Sequence, residues 1–401
     1  MSATVYDFIV VGAGIVGLTV ARELKLRSPS ARVAVLDKES SIGAHASGRN
    51  SGVLHSGIYY GSDTLKAKVC ARGASRLIEF ASEHDIPCRK SGKVILATSE
   101  RQLPIVDRLM CNARENGISA RLISEQELRE IEPAAAAGPA AIYCTDTAVI
   151  DSVAVLKKLR ALLEQQGVTF LLDWQAQGPK TSNVIATTRG TLAYGLLFNC
   201  AGAHADTLAR RFGLAQDYAL IPFKGIYWKL SQNASHLVRS NIYPVPDVSL
   251  PFLGVHLTRV ISGDVYVGPT AIPALGRENY GKLAGMRVSE ALSIGRQLAL
   301  MYLGNRNNFR LLAHTEIAKY NKHCFLTAAK ELLPELTADD LVPTSKAGIR
   351  PQLINVKSRK LEMDYIIERT EDSVHVLNAI SPAFTSSFAF AEMIVDQGLV
   401  A

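Results

Sequence analysis

Residues able to exchange protons are concentrated in one segment, HASGRNSGVLHSGIYY, at residues 45–60. Neutral imidazole accepts a proton near physiological pH, so His55 is a candidate general base, with a structural histidine as the alternative. His256, on a later predicted strand, is the second candidate for this role. Tyr60 and Tyr243 are candidate hydrogen-bond donors to substrate oxygens, or core aromatic residues at a domain boundary.

Two cationic side chains are candidates for binding an acidic substrate. Arg350 lies in AGIRPQ (residues 347–352), which we predict to be a turn before the last strand. Its planar guanidinium group can bind a carboxylate through two parallel hydrogen bonds, and a surface arginine in a turn is the alternative. Lys224 is a candidate for a second, distal carboxylate, with a solvated strand lysine as the alternative.

The first forty residues predict the element that positions these groups. An apolar strand at 6–11 is followed by GAGIVG, a helical pattern, a second apolar strand and Asp37, twenty residues after Gly17. Gly12 permits a tight turn, Gly14 allows the backbone to approach a pyrophosphate, and Gly17 allows close packing of helix on strand. The helix N-terminus attracts phosphate, and Asp37 can accept hydrogen bonds from ribose hydroxyls. This pattern predicts a dinucleotide site, and a glycine-rich helix start without a ligand is the alternative.

Further along the chain, helical and strand patterns alternate. Residues 124–127 have the form of a capping box, and Asp151 is the predicted N-cap of another helix. A second glycine turn, at 201–205, leads into a helix, and short strands separated by turns fill 223–273. We also predict helices over 62–84, 102–116, 151–167, 279–319 and 388–397, strands over 93–98 and 373–377, and a polar turn over 381–387.

These elements predict an α/β fold. A Rossmann-like nucleotide-binding domain is discontinuous in sequence, and a substrate-binding domain of mixed or antiparallel β-sheet is inserted into it. We assign residues 1–90, 145–222 and 342–401 to the first domain, and residues 91–144 and 223–341 to the second.

Composition restricts the function classes. Of the 401 residues 48% are hydrophobic, and the net charge of +7 suits an anionic substrate or a solvated basic surface. We predict no nucleic-acid partner, because no basic–aromatic module is present, and no metal site, because the histidines are dispersed. The six widely spaced cysteines are typical of free thiols in a reducing compartment.

Location follows from the same patterns. No apolar stretch reaches the length of a transmembrane helix, so we expect a cytoplasmic protein. The basic, amphipathic stretch 279–319 allows peripheral contact with the inner membrane, and packing of its apolar face on the sheet is the alternative.

Several motifs together resemble a known family. They are YDFIVVGAGIVGLTVARELK, SGRNSGVLHSGIYY, IYPVPD, PFLGVHLT, AGIRPQ and HVLNAISPAFTSS. They are similar to the L-2-hydroxyglutarate dehydrogenase/oxidase group of the D-amino-acid-oxidase-like FAD-dependent oxidoreductases. The resemblance implies bound FAD, with no nicotinamide, and oxidation of an L-2-hydroxy acid by hydride transfer to flavin N5. The first substrate to expect is L-2-hydroxyglutarate, giving 2-oxoglutarate, with oxygen or a quinone as the electron acceptor.

The resemblance also implies roles for individual residues. The three glycines would hold the pyrophosphate and Asp37 the adenosine ribose. The pyrophosphate and flavin would be lined by Ser47, Arg49, Asn50 and Ser51. Ala201 and Gly202 would contact the adenine side, and residues 385–387 the isoalloxazine. His45 would lie near the flavin, and its covalent attachment to FAD is left open. The implied cofactor-binding residues are Gly12, Gly14, Gly17, Asp37, Lys38, His45, Ser47, Arg49, Asn50, Ser51, Ala201, Gly202, Thr385, Ser386 and Ser387.

One segment departs from the family pattern. Where typical members carry an arginine and a glutamate, this chain has Lys224 and Ile226. Lysine lacks the two-pronged geometry of arginine, so the exact substrate is open. An amine or amino-acid oxidase on the same scaffold, and a flavin-binding protein without turnover, are the alternatives.

Overall fold

The computed structural model describes residues 5–246 and 252–399. Parts of the motifs IYPVPD and PFLGVHLT, and the ends of two assigned domain segments, lie outside these ranges. The helices are α1 (Ile15–Arg27), α2 (Leu65–Glu83), α3 (Leu103–Glu115), α4 (Glu125–Ile131), α5 (Ser152–Gln165), α6 (Ala205–Arg211), α7 (Val288–Gly304), α8 (Phe309–Ala318), α9 (Lys322–Lys330) and α10 (Ala383–Leu399).

The strands of the described residues form two large sheets and one small one. They are β1 (Val5–Val11), β2 (Val33–Leu36), β3 (Val53–Leu54), β4 (Cys88–Lys90), β5 (Lys93–Ala97), β6 (Ala120–Ile123), β7 (Ala140–Cys144), β8 (Ala148–Ile150), β9 (Thr169–Leu171), β10 (Ala176–Thr181), β11 (Val184–Thr187), β12 (Gly190–Asn199), β13 (Tyr218–Leu230), β14 (Asn241–Pro244), β15 (His256–Arg259), β16 (Val265–Gly268), β17 (Ile272–Pro273), β18 (Leu341–Asn355), β19 (Lys360–Leu361), β20 (Ile367–Arg369) and β21 (Ser373–Val376).

The first sheet has a parallel centre. Strands β9, β2, β1, β12 and β21 pair in parallel, while β10, β11 and β20 add antiparallel partners. The strand VAVL of β2 is buried throughout, as expected for a parallel strand covered on both faces. The parallel strands end at one edge, which is where open α/β sheets bind ligands.

The second sheet is mixed. Its order is β19-β18-β13-β16-β15-β14-β5-β7-β6; β5 and β14 pair in parallel, and the other neighbours along this order pair antiparallel. The two long strands β13 and β18 pair along most of their length, from Tyr218 opposite Asn355 to Leu230 opposite Leu341. The architecture thus matches the predicted fold class, in which a sheet domain interrupts a Rossmann-like domain.

Local sequence patterns account for several helix starts. The capping box at Ser124 is confirmed, since its side chain accepts from Glu127 N while the Glu127 side chain accepts from Ser124 N. Asp151 is the N-cap of α5, and its carboxylate accepts from Val153 N and Ala154 N. Polar side chains here satisfy backbone N–H groups that have no partner within the helix.

Three predicted elements were wrong. Residues 347–352 are not a turn but the interior of β18, because their backbone pairs with β13. Residues 385–387 are not a turn before the last helix but lie inside α10, which begins at Ala383. Residues 279–319 are not one helix, since α7 begins only at Val288 and a left-handed Asn305 ends it before α8.

Sheet membership also differs from the assigned domain boundaries. Strand β18 belongs to the second sheet, although residues from 342 onward were assigned to the nucleotide-binding domain. The long pairing with β13 places β18 in the second sheet, and the chain returns to the first sheet at β20 and β21. The boundaries themselves stay a prediction.

Candidate flavin and substrate site

A single cavity of about 1160 Å³ extends from the carboxyl edge of the first sheet to the face of the second. It exceeds the usual volume of a small-molecule pocket, ~300–1,000 Å³, which fits a dinucleotide together with a small substrate. The sequence-predicted residues that line it are Gly12, Gly14, Asp37, Lys38, His45, Ser47, Arg49, Asn50, Ser51, His55, Tyr60, Ala201, Gly202, Tyr243, His256, Arg350 and Thr385.

The glycine motif forms a cradle that side chains would fill. Gly12 has φ +107°, and a Cβ there would lie 2.4 Å from the Cys200 carbonyl oxygen. A Cβ on Gly14 would lie 2.9 Å from Ser47 Oγ, and one on Gly17 only 1.8 Å from the Gly12 oxygen. Gly17 is not among the lining residues, so it serves the packing of α1 on β1, as predicted from its position in the motif.

The N-terminus of α1 faces the cavity beside polar side chains. Ser47 Oγ accepts a hydrogen bond from Ile15 N at 2.9 Å, while Gly14, the N-cap residue, supplies no side-chain cap. Asn50 supports this arrangement, since its Nδ2 donates to the Ser47 carbonyl at 2.6 Å and its Oδ1 accepts from Gly52 N at 2.8 Å. A helix N-terminus with such neighbours is suited to a pyrophosphate.

Asp37 connects the glycine loop to the end of β2. Its carboxylate accepts from Ala13 N at 2.6 Å and from Glu39 N at 2.9 Å. A carboxylate offers about four lone-pair sites, so acceptor capacity remains for ribose hydroxyls. The residues present therefore fit the adenosine and pyrophosphate parts of FAD.

His45 belongs to an ionic cluster. Its Nδ1 lies 2.9 Å from the Tyr280 hydroxyl and its Nε2 lies 2.9 Å from Glu39 Oε1. Lys38 forms salt bridges with Glu39 and with Glu278, the latter at 2.6 Å. His204, which hydrogen-bonds to Glu278, and Lys38 together hold the pKa of Glu278 far below its usual range.

Two predictions concern this cluster: the attachment of His45 to flavin and the absence of a metal site. Both ring nitrogens of His45 have partners, so the structure gives no support for its attachment to flavin. Glu39, His45 and Glu278 are close enough to share a metal ion, but Lys38 already compensates both carboxylates. We interpret the cluster as a support for the adenosine end of the cavity.

His55 lies where the cavity passes beneath α10. Its backbone N donates to Thr385 Oγ1 at 3.2 Å. Burial, followed by the charges of Lys93, His256 and Arg350, lowers the pKa of His55 to about 3. The ring is therefore neutral at physiological pH and able to accept a proton.

Within the described residues, the ring of His256, unlike that of His55, has two defined contacts. Its Nδ1 lies 2.9 Å from the Gly254 carbonyl oxygen, and its ring stacks on Tyr243 with centroids 3.9 Å apart. A carbonyl only accepts, so Nδ1 carries the proton and Nε2 is left as the proton acceptor. Burial lowers the pKa of His256 to about 4, against the opposing effect of the Gly254 hydrogen bond.

Arg350 projects from the interior of β18, opposite Phe223 of β13. Its guanidinium carbon lies 5.2 Å from the centroid of the Phe252 ring. Burial lowers its pKa, although arginine stays protonated at physiological pH. A strand holds this cation more rigidly than the predicted turn would, which suits a group that orients a carboxylate.

Three predicted residues have other surroundings. Lys224 does not line the cavity, since its Nζ donates to the Gly281 carbonyl at 2.6 Å. Ser386 accepts from the Tyr365 hydroxyl at 3.2 Å, and Ser387 is fully buried. Because the segment is helical, only Thr385 of residues 385–387 faces the cavity. The predicted contacts of Lys224 with substrate and of Ser386 and Ser387 with flavin are corrected accordingly.

Two buried lysines were not among the candidates from the sequence. Lys66 lines the cavity and is 3% exposed. Lys93 is 0% exposed, 4.5 Å from the centroid of the Tyr59 ring and 5.3 Å from that of Tyr243. Lys66 falls on the apolar stripe of α2 together with Val69, which marks it as unusual in the sequence. No comparable feature distinguishes Lys93.

Comparison with known proteins identifies the class. The chain belongs to the family of FAD dependent oxidoreductases called DAO, whose model matches residues 7–397. Bound FAD is thus its cofactor, and the chain is an FAD-dependent oxidoreductase.

The relatives within this family are more specific. The chain is 36% identical to L-2-hydroxyglutarate dehydrogenase of Indibacter alkaliphilus, covering 98% of this chain and 99% of the relative. It is 32% identical to the mitochondrial L-2-hydroxyglutarate dehydrogenase of Homo sapiens, over 99% of this chain and 89% of that protein. The resemblance found in the sequence is confirmed.

Solved structures share the fold at lower identity. An FAD-bound L-alpha-glycerophosphate oxidase from Mycoplasma pneumoniae has a TM-score of 0.77 at 21% identity, covering 98% of this chain and 94% of that one. Glycine oxidase from Geobacillus kaustophilus has a TM-score of 0.70 at 18% identity, with coverage of 98% and 94%. The predicted fold class and cofactor are confirmed.

Proposed function

We propose that this enzyme oxidises L-2-hydroxyglutarate to 2-oxoglutarate. The observation that carries the proposal is the grouping of two neutral histidines, His55 and His256, with the buried cation Arg350 in one FAD cavity. The relatives described above are L-2-hydroxyglutarate dehydrogenases, and the two carboxylates of this substrate match the cationic wall of the cavity.

The side chains in the cavity have different roles in this reaction. Arg350 binds the carboxylate next to the reacting carbon and so fixes the orientation of the hydroxyl. His256 Nε2 or the His55 ring accepts the hydroxyl proton as the C–H bond breaks, because both rings are neutral. Tyr60 and Tyr243 line the same region and donate to substrate oxygens. When bound, FAD supplies the two-electron acceptor that takes the hydride.

The N-terminus of α10 would support the bound cofactor as well. Residues 380–385 line the cavity, and a helix N-terminus stabilises negative charge. The positive end of this helix would therefore favour the reduction of FAD bound in the cavity.

Anaerobic reduction of the purified protein tests this function. L-2-Hydroxyglutarate is expected to bleach the flavin absorbance near ~450 nm and to yield one 2-oxoglutarate per flavin. Glycine, sarcosine and D-amino acids serve as the opposing panel. Reduction by those amines without reduction by any hydroxy acid would show an amine oxidase instead. No reduction by either class would indicate a flavin protein without turnover.

For location, we propose a cytoplasmic enzyme that contacts an anionic membrane. The six cysteines are free thiols, which is typical of a reducing compartment. Across the described residues, no helix combines the length and hydropathy that crossing a bilayer would require. Contact would therefore be peripheral, and a membrane quinone, rather than oxygen, would be the natural acceptor.

The contact surface is the outer face of α7 and α8. Val288, Leu292 and Leu303 on α7 are 80%, 70% and 71% exposed, and Leu311 on α8 is 67% exposed. The opposite, buried face of these helices packs on the second sheet, as the alternative interpretation expected, with Met301 and Leu312 in one cluster with Ile221 of β13. Exposed Arg287, Arg296, Arg306 and Arg310 border it, a combination suited to anionic lipid.

Vesicle flotation tests this surface. The holoenzyme is expected to float with vesicles containing phosphatidylglycerol but not with pure phosphatidylcholine. The double variant Leu292→Ser, Leu303→Ser should stay in the bottom fraction, while Leu122→Ser, at an exposed leucine of β6, should float like the wild type. A wild type that remains at the bottom, or that buries this face in a dimer on ultracentrifugation, would contradict the proposal.

A further inference from the structure

Lys66 is a cation in the cavity wall that the proposed chemistry does not use. It is the second residue of α2, and its ammonium lies 5.5 Å from the centroid of the Tyr60 ring and 5.7 Å from that of Tyr365. Among the residues that the structure describes, no salt bridge involves Lys66. A buried ammonium that forms no salt bridge is costly unless an anion compensates it.

The neighbouring acid does not provide that compensation. Asp364 accepts from Leu65 N at 2.6 Å, from Lys66 N at 3.1 Å and from Tyr365 N at 2.8 Å. Its carboxylate thus satisfies backbone N–H groups at the start of α2. It raises the pKa of Lys66 only as a weaker influence behind burial and Arg350, which together bring that pKa to about 7.

Arg350 shares the surroundings of Lys66. Tyr60 and Tyr365, whose rings lie near the Lys66 ammonium, are also close enough to Arg350 to influence its pKa. The Arg350 charge reaches His55 as well, so this arginine lies near both Lys66 and the candidate base. Two cations on one cavity wall suit a ligand with two anionic ends rather than one.

We infer that Lys66 binds the second carboxylate of a short-chain hydroxy diacid whose first carboxylate is bound by Arg350. The inference rests on the proposed function and adds a residue that determines specificity for diacids over monoacids. The reacting carbon then lies at the Arg350 end, near His55, and the chain of the substrate extends towards Tyr60 and Lys66. Lys224, which the sequence had suggested for the distal carboxylate, is tied to the Gly281 carbonyl instead.

A matched pair of substrates tests the inference on the FAD-loaded enzyme. L-2-Hydroxyglutarate and L-2-hydroxypentanoate have the same five-carbon chain, with a methyl in place of the second carboxylate. In Lys66→Met, kcat/KM for the diacid should fall about 10- to 100-fold, as expected for loss of a charged hydrogen bond, while the monoacid value stays within about threefold. If the monoacid reacts too slowly, its inhibition constant gives the same comparison.

Two further variants complete the experiment. Lys66→Arg should recover most of the preference for the diacid, because it keeps the charge. Lys68→Met removes an exposed lysine of the same helix and should leave kcat/KM unchanged for both substrates. In the wild type, the preference should fall above about pH 7 as Lys66 loses its proton.

The outcomes separate the two proposals. If Lys66→Met lowers kcat/KM equally for both substrates, or for neither, the proposed role of Lys66 is overturned. Loss of FAD in Lys66→Met, with FAD retained in Lys66→Arg, would place Lys66 at the cofactor and overturn it too. A wild type that neither hydroxy acid reduces would instead refute the proposed function.

Discussion

The backbone amide of His55 donates a hydrogen bond to the side-chain hydroxyl of Thr385, 3.2 Å away. Thr385 in turn donates to the Val53 carbonyl at 3.3 Å, so one buried hydroxyl ties the segment 53–55 to the first turns of α10. Residues far apart in sequence thereby form one wall of the cavity. The position of the candidate base depends on this contact.

Replacing this hydroxyl should affect catalysis through position. Thr385→Val keeps the shape but leaves the His55 amide and the Val53 carbonyl with one partner fewer, which should cost about 1–3 kcal/mol of folding free energy. The anaerobic rate of flavin reduction should fall, and Thr385→Ser, which keeps the hydroxyl, should stay near wild type. Equal behaviour of the two variants in stopped-flow reduction would contradict this role.

The sequence predicted the nucleotide half of the site well because its chemistry is local. The turn at Gly12, the approach at Gly14 and the carboxylate of Asp37 lie within one strand-helix-strand unit, whose geometry is fixed by short-range packing. The same reasoning failed at Arg350, where glycine and proline in AGIRPQ suggested a turn. Long-range pairing with β13 overrides that local preference and makes the segment a strand.

The substrate half depends on contacts that no spacing in the sequence reveals. Lys93 lies beside Tyr59 and Tyr243 only because β5 pairs with β14, strands separated by well over a hundred residues. The mainly apolar residues 388–395 led to a predicted helix start at Phe388, whereas α10 begins at Ala383. Tertiary packing, rather than residue type, decides which of residues 385–387 faces the cavity.

The glycine cradle predicts different effects at two positions. Gly17→Ala places a Cβ against the Gly12 carbonyl oxygen, where backbone must move, and should cost about 3 kcal/mol of stability. Gly14→Ala meets only the side chain of Ser47 and no backbone, so the fold should survive while FAD affinity falls about tenfold. Thermal denaturation and FAD fluorescence titration distinguish these effects. Gly117→Ala, at a glycine outside the cradle, should leave FAD affinity unchanged.

Acid should destabilise the protein through its buried histidines. The pKa values of His55 and His256 are about 3 and about 4 in the folded protein, below the ordinary value of 6.5. At a pH between the folded and the unfolded pKa of a histidine, the unfolded chain binds more protons than the folded protein. The free energy of unfolding therefore falls as pH decreases from about 6.5 towards 4, by up to ~1.4 kcal/mol per histidine and pH unit. His256→Phe should reduce the slope by one proton in urea titrations at pH 5 and 6, whereas His323→Gln, at an exposed position, should leave it unchanged.

We expect the buried ammonium of Lys93 to destabilise the folded protein. Its ammonium is fully buried, and none of the described residues offers it a hydrogen-bond acceptor. Lys93→Met keeps the volume and removes the polar group, so the free energy of unfolding should stay equal or rise by about 1–3 kcal/mol. Lys90→Met, an exposed control, should be neutral. A clear loss of stability in Lys93→Met would show that the ammonium has a partner, such as bound cofactor, in the native holoenzyme.

Arg350 offers the sharpest test of substrate orientation. Arg350→Ala removes the carboxylate clamp and should raise KM for L-2-hydroxyglutarate by about 100-fold, while FAD stays bound because the glycine cradle that holds its pyrophosphate is unchanged. Arg350→Lys keeps a charge without the two-pronged geometry and should give an intermediate KM, about tenfold above wild type. Arg89→Ala removes an exposed arginine of β4 and should change neither KM nor FAD content. An unchanged KM in Arg350→Ala, measured with full FAD occupancy, would remove Arg350 from the clamp role and leave Lys66 as the cation that binds substrate in this part of the wall.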